Sequence, residues 1–174
     1  MKKVLLVVDY QKDFVDGALG FPGAETLEAP ICRRIEAARA DGWDVWFTFD
    51  THTEDYLSTQ EGRKLPVPHC IKDSDGWKLY GGVAQQQRED DVCFCKGALG
   101  SHELLLYLLQ HPVDEMELCG LVSNMCVLSN AVVVKAACPE CSVTVNEPLT
   151  MSFDPELHRK AMDVLRGVQI EVME

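Results

Sequence analysis

Apolar residues in this chain gather in short unbroken runs, and between those runs they recur at helical spacing. Val4-Leu5-Leu6-Val7-Val8 is uninterrupted and closes at Asp9, the pattern of a strand buried on both faces. Thr26 to Ala40 carries helical periodicity and stops at Asp41-Gly42. Val45-Trp46-Phe47-Thr48-Phe49 predicts a second strand and Val92-Cys93-Phe94-Cys95 a third. Between them, Thr51 to Gly82 is polar and bears Pro and Gly; it is too long for an ordinary connection and is read as a functional loop. His102 to Gln110 predicts a helix capped by Ser101. Met116 to Val122 predicts a strand, Asn124 to Ala137 a helix and Ser142 to Val145 a further strand. Asp154-Pro155-Glu156 opens a last helix, with Asp154 as N-cap and Pro155 at its first position, and Val168 to Val172 closes the chain as a strand.

Strand and helix alternate throughout, with no repeats, linkers or low-complexity segments. That alternation predicts one α/β domain over residues 1–174, a three-layer α/β/α arrangement around a central parallel sheet of about six strands. In such folds ligands bind beyond the carboxyl ends of the strands. Asp9, Asp50 and Lys96 end the first three strands, and Cys126 follows the fourth. Four chemically capable side chains therefore share one edge of the sheet.

Cys126 is expected in the first turn of a helix, where free backbone N–H groups favour a thiolate and can hold the oxyanion of an acyl-transfer intermediate. Lys96 would stabilise that thiolate, and Asp9 would carry its proton to a leaving amine. Taken singly, each has a plainer reading: a small buried apolar residue for Cys126, a surface ion pair for Lys96, a turn or cap for Asp9. Asp50 and His52 alternate in an extended segment and so point to one side; with His69 they form a donor set suited to zinc, manganese or iron. Glu61 lies between them as a fourth candidate ligand, with water to complete the shell, although loop histidines are often merely exposed.

The composition narrows the field. The chain has 174 residues, 47% hydrophobic and 25% charged, as expected of an ordinary globular domain. A formal net charge of −12 argues against nucleic acid or an anionic membrane as partner and favours a small-molecule role. No apolar stretch approaches the roughly 20 residues of a membrane helix. The run after Met1-Lys2-Lys3 is too short for a secretion signal, which points to the cytoplasm. The eight cysteines are then expected as thiols, with Cys93, Cys95 and Cys119 in the core. Cys138-Pro139-Glu140-Cys141 matches CxxC but follows a helix instead of opening one, and it lacks the second pair of a structural zinc site.

Several segments resemble one family in order along nearly the whole chain: Leu5 to Phe14, Asp50-Thr51-His52, Pro68-His69-Cys70, Lys96-Gly97, and Gly120 to Val127. They are similar to the isochorismatase-like cysteine hydrolases, and within that family to nicotinamidases and pyrazinamidases. The resemblance implies a Rossmann-like six-stranded parallel sheet and a homodimer or higher oligomer. It implies Cys126 as nucleophile, Asp9 as proton carrier, Lys96 as the stabilising charge and Phe14 as a wall of the substrate pocket. It also implies a cis peptide between Val122 and Ser123 that turns backbone N–H groups, including that of Cys126, toward the oxyanion. The implied activity is conversion of nicotinamide to nicotinate and ammonia through a Cys thioester. A divalent metal on Asp50, His52, His69 and Glu61 would hold the pyridine nitrogen. The chain departs from many nicotinamidases in having Leu65, Pro66 and Val67 where a tryptophan commonly precedes the second histidine, and Trp77 has no evident place in the pocket. These departures leave open a metal-free relative acting on a carbamoyl, ureido or isochorismate-like compound. A non-catalytic oligomeric module or a redox protein using Cys138 and Cys141 is the reading from another class.

Overall fold

The computed structural model describes residues 1–174. In chain order its elements are β1 (Lys3–Val8), α1 (Lys12–Val15), a 3-10 turn (Ala24–Leu27), α2 (Glu28–Ala40) and β2 (Asp44–Asp50). A second 3-10 turn (Tyr56–Ser58), α3 (Gln60–Lys64), α4 (Gly81–Gln86), β3 (Val92–Lys96), α5 (His102–Gln110) and β4 (Glu115–Leu121) follow. The chain then makes a wide turn (Ser123–Val127), α6 (Leu128–Ala137), β5 (Ser142–Met151), α7 (Pro155–Gly167) and β6 (Glu171–Met173).

The six strands form one parallel sheet in the order β3-β2-β1-β4-β5-β6. β1 lies at its centre, paired to β2 and β4, and Val4 to Val8 are wholly buried. Each such Val or Leu contributes about 1.5–3 kcal/mol by leaving water. The two-residue alternation of β1 divides the core. Val4, Leu6 and Val8 face α5, α6 and α7 through Leu104, Ala131 and Leu165. Leu5 and Val7 face α2 and α4 through Ile31, Ile35 and Val83. On the α2 side Arg34 grips the buried Glu117 with two hydrogen bonds of 2.9 and 2.7 Å, and Asn146 donates a third at 2.8 Å.

The connections after β1 and β4 run to opposite sides, so the gap between these two strand ends is the switch point of the sheet. Two irregularities shape it. Gly120 has φ of +107°, and a Cβ there would stand 2.0 Å from the Val8 carbonyl oxygen. Beyond it, β5 advances from Val145 to Thr150 while β4 advances from Leu118 to Gly120, so Asn146 to Leu149 bulge out of the ladder.

Some expectations need correction. The stretch from Thr51 to Gly82 is not without structure, since it contains a 3-10 turn, α3 and the start of α4. These helices are too short to show a period in the sequence. Cys93 is exposed and Cys95 only partly buried, because β3 is an edge strand with one side unpaired; Cys119, on β4, is buried as expected. The last strand is confined to Glu171–Met173, since α7 runs to Gly167. The caps fall as predicted: Ser101 Oγ accepts from Leu104 N at 3.1 Å, and Asp154 Oδ1 from Glu156 N and Leu157 N at 2.8 and 3.0 Å.

Candidate active site

Asp9, Lys96 and Cys126 converge at the switch point. Asp9 leaves β1 with φ of 45°, a conformation rare outside glycine, and is fully buried. Thr48 Oγ1 donates to Asp9 Oδ1 at 2.6 Å. Oδ2 lies 2.7 Å from Lys96 Nζ, yet no donor meets it in hydrogen-bond geometry. It is thus an oxygen with lone pairs to spare beside the thiol. Lys96, the last residue of β3, is also fully buried; its Nζ reaches Ala98 O at 3.1 Å, Asp50 Oδ1 at 3.2 Å and Cys126 Sγ at 3.4 Å.

The electrostatics follow from this burial. Burial opposes the Lys96 charge, but Asp9, Cys126 and Asp50 outweigh it and hold the ammonium well above its ordinary pKa. Burial raises the pKa of Asp9 despite Lys96. Burial also lifts the Cys126 thiol well above its usual value, with Lys96 opposing and the two carboxylates adding to the rise. The sequence predicts a thiol eased toward ionisation by a lysine and a helix end, and burial acts in the opposite direction. Desolvation and the neighbouring carboxylates work against the thiolate, and the lysine works for it.

Cys126 also does not open an α-helix. It sits in the wide turn Ser123–Val127, which closes with Val127 N on Val122 O at 3.2 Å, five residues back. Single π-type turns of this kind are frequent at functional sites. The cis peptide lies between Leu121 and Val122, not between Val122 and Ser123. The chain leaves β4 immediately after its last residue, one position earlier than expected. Val122 lines the cleft, while Ser123 is buried behind it.

Asp50 connects this group to the second cluster. Its Oδ1 faces Lys96; its Oδ2 lies 3.1 Å from His52 Nε2 and 3.2 Å from His69 Nε2. Glu61 Oε1 stands 3.8 and 4.0 Å from the same two nitrogens. The four donor atoms lie within 4.8 Å of one another. Donors at zinc-ligand distance in a tetrahedron stand roughly 3.3–3.5 Å apart, so these need only small adjustments to share one ion. His69 Nδ1 bonds Val67 O at 2.8 Å, which puts the ring proton there and leaves Nε2 as a lone pair aimed at the cluster. Burial would raise the Asp50 pKa, but the two histidines and Lys96 hold it well below the carboxylate range. Burial works against a charge on His69, and Asp50 beside it raises its pKa nonetheless. The donors present fit a divalent transition metal.

Both clusters open onto one cleft of about 480 Å3, lined mainly by apolar side chains and containing Cys126, Asp50, Glu61 and His69 in its wall. Phe14 lines it as expected, edge-on to His69. Leu65 lines it too, whereas Trp77 packs on Phe49, donates to Thr51 Oγ1 at 2.9 Å and borders a different cleft.

Three positioning residues escape sequence reasoning. Gln11 exchanges two hydrogen bonds with the Asp50 backbone, at 2.8 and 2.9 Å, and fixes that carboxylate. Asp13 accepts from Cys70 N at 2.7 Å and pins the residue after His69, itself at φ of 45°. Asn130 Nδ2 donates to Cys126 O at 2.8 Å from within α6. An amide next to Ser129 at the start of the apolar run of α6 is a visible signal for Asn130; Gln11 and Asp13 act through partners distant in sequence.

A family model for the isochorismatase domain matches residues 3–174. The chain belongs to the isochorismatase family. Its family and its nicotinamidase relatives make it a hydrolase of that kind. It is 31% identical to an isochorismatase family protein, PncA, of Bacillus subtilis, over 93% of each chain. It is 26% identical to a nicotinamidase of Saccharomyces cerevisiae over 99% of each. A crystal structure of a nicotinamidase/pyrazinamidase from Bacillus subtilis superposes with a TM-score of 0.87, at 28% identity and with both chains fully covered. No helix is long and apolar enough to cross a membrane.

Proposed function

We propose that this isochorismatase-family enzyme hydrolyses nicotinamide to nicotinate and ammonia, with Cys126 as nucleophile. The observation that carries the reading is the union, across one carboxylate, of a Cys–Lys–Asp group with a two-histidine donor set in the wall of one apolar cleft. A flat heteroaromatic ring suits the apolar wall formed by Phe14, Leu19, Leu65 and Met125, and a carboxamide projecting from it meets Cys126. When bound at Asp50, His52, His69 and Glu61, a divalent metal supplies a Lewis acid that holds the ring nitrogen.

The protein residues perform the acyl transfer. The Cys126 thiol gives its proton to Asp9 Oδ2 as sulfur adds to the amide carbon. The Lys96 ammonium, 3.4 Å from Sγ, offsets the charge that develops there. The backbone amide of Cys126 serves the oxyanion. Asp9 passes the proton to the amine, the C–N bond breaks, and ammonia leaves a thioester. Asp9 then takes a proton from water, which adds to the thioester carbon and releases nicotinate, and the proton returns to sulfur. The similarity to nicotinamidases over almost the full chain supports this choice of substrate.

Ammonia release from nicotinamide by the metal-analysed wild type, Cys126→Ala and His52→Ala tests the reading. Turnover is expected only in the wild type, and bound metal is expected to fall in His52→Ala. Full activity in Cys126→Ala would refute the nucleophile. An inactive, metal-free wild type would refute the substrate and direct the search to carbamoyl or ureido compounds.

A further inference from the structure

A second polar series lies behind the active-site turn. Ser123, the first residue of that turn, is wholly buried, and its Oγ is 2.9 Å from Nδ1 of His158 on α7. The other ring nitrogen, Nε2, stands 3.4 Å from Glu147 Oε1, on the bulge of β5. Arg166, two turns further along α7, approaches the same carboxylate at 3.5 Å. Serine, histidine and glutamate together have the composition of a hydrolytic triad. With Ser123 wholly buried, no substrate carbonyl reaches it, so the series must act through position.

We propose that His158 is a positioning residue for the Cys126 reaction, acting through the Ser123 hydroxyl. The proposal rests on Cys126 being the nucleophile. A wide turn has poorer internal support than an α-helix. This one closes through Val127 N on Val122 O and Leu128 N on Ser123 O, and both bonds span five residues. External contacts therefore have to fix it. Asn130 holds the Cys126 carbonyl from α6, and His158 holds Ser123 from α7. With a proton on Nε2 opposite Glu147, Nδ1 accepts the serine O–H. The imidazole is fixed at both nitrogens and transmits the placement of α7 and the β5 bulge to the turn. Cys126 is three residues from Ser123, and Sγ must stay near both Lys96 and the amide carbon, where a 1 Å misplacement costs about 100-fold.

The experiment compares kcat, KM and Tm for nicotinamide hydrolysis in the wild type, His158→Ala, His158→Asn, Ser123→Ala and the double alanine variant. His158→Ala should lower kcat about tenfold and leave KM within about twofold, the scale of one lost hydrogen bond on a reacting turn. Asparagine places a polar atom where Nδ1 stood, so His158→Asn should recover to within about threefold. Ser123→Ala should match His158→Ala, and the double variant should lose no more than either single one. Wild-type kcat in His158→Ala, multiplying losses in the double variant, or a loss that follows Tm with no rescue by asparagine would each overturn the proposal. A substrate-independent readout separates its failure from failure of the nicotinamide reading. Site-resolved iodoacetamide labelling of Cys126 should slow about threefold in His158→Ala and recover in His158→Asn. An unchanged labelling rate would also overturn it.

Discussion

Lys96→Met removes one charge and keeps most of the side-chain volume. Nζ lies 2.7 Å from Asp9 Oδ2 and 3.2 Å from Asp50 Oδ1. At an effective dielectric of 20 these contacts are worth about 6 and about 5 kcal/mol before desolvation. Much of that offsets the burial of three charges, and removing one partner of a buried group costs about 3–5 kcal/mol net. The fold relieves part of this by protonating Asp9, whose pKa burial already raises. A carboxyl with a raised folded pKa binds its proton more tightly when folded. Its stabilising effect is therefore complete below the unfolded value near 3.8 and is lost as pH rises through the folded value. The deficit of Lys96→Met relative to wild type should be smallest at acid pH and grow as pH rises, as read from urea melts across pH. A protonated Asp9 also cannot accept the thiol proton, so kcat should fall about 10²–10⁴-fold at neutral pH. A kcat within tenfold of wild type, or a stability deficit that does not vary with pH, would refute the electrostatic account.

Gly120→Ala should destabilise the fold by about 3 kcal/mol or more, seen in a lowered Tm, because the new Cβ meets the Val8 carbonyl and the backbone stands at φ of +107°. Arg34→Met should cost about 3–5 kcal/mol in urea unfolding by leaving Glu117 buried without its partner, and Arg34→Met/Glu117→Met should recover most of it. Dialysis against a strong chelator should abolish nicotinamide turnover, with recovery on adding a divalent transition metal. Glu61→Gln should weaken metal affinity roughly tenfold or more in a calorimetric titration.

The elements that read clearly in the sequence are those whose burial is local to the segment. Val4–Val8 is apolar on both sides because it is the central strand, and Ser101 and Asp154 cap helices through bonds to residues two or three positions away. The strand-end rule then brings Asp9, Asp50, Lys96 and Cys126 to one edge, as the structure finds them. What stayed hidden depends on partners remote along the chain. Gln11 finds Asp50, Asp13 finds Cys70 and His158 finds Ser123 only after the sheet assembles. The opposing effect of burial on the thiol was hidden for a related reason. A helix end and a lysine are visible in sequence, whereas the depth of water exclusion around Cys126 is a property of the assembled fold.

Asp50 faces two ways, and this restricts how the chain can diverge. A position that only holds a metal can exchange carboxylate for imidazole, because either ligates zinc. A position that only pairs with a buried lysine needs an anion. Asp50 would satisfy both at once through separate oxygens, and neutral histidine or asparagine would leave Lys96 with Asp9 as its one carboxylate, beside the Ala98 carbonyl and the thiol. A descendant that abandons the metal must therefore still keep the aspartate, while one that replaces the aspartate has to rebuild the lysine pocket in the same step. In the proposed reaction, loss of a metal and loss of the cysteine chemistry would thus be unequal events: the first could occur by drift at His52 or His69, and the second could not be reached through Asp50 without losing both.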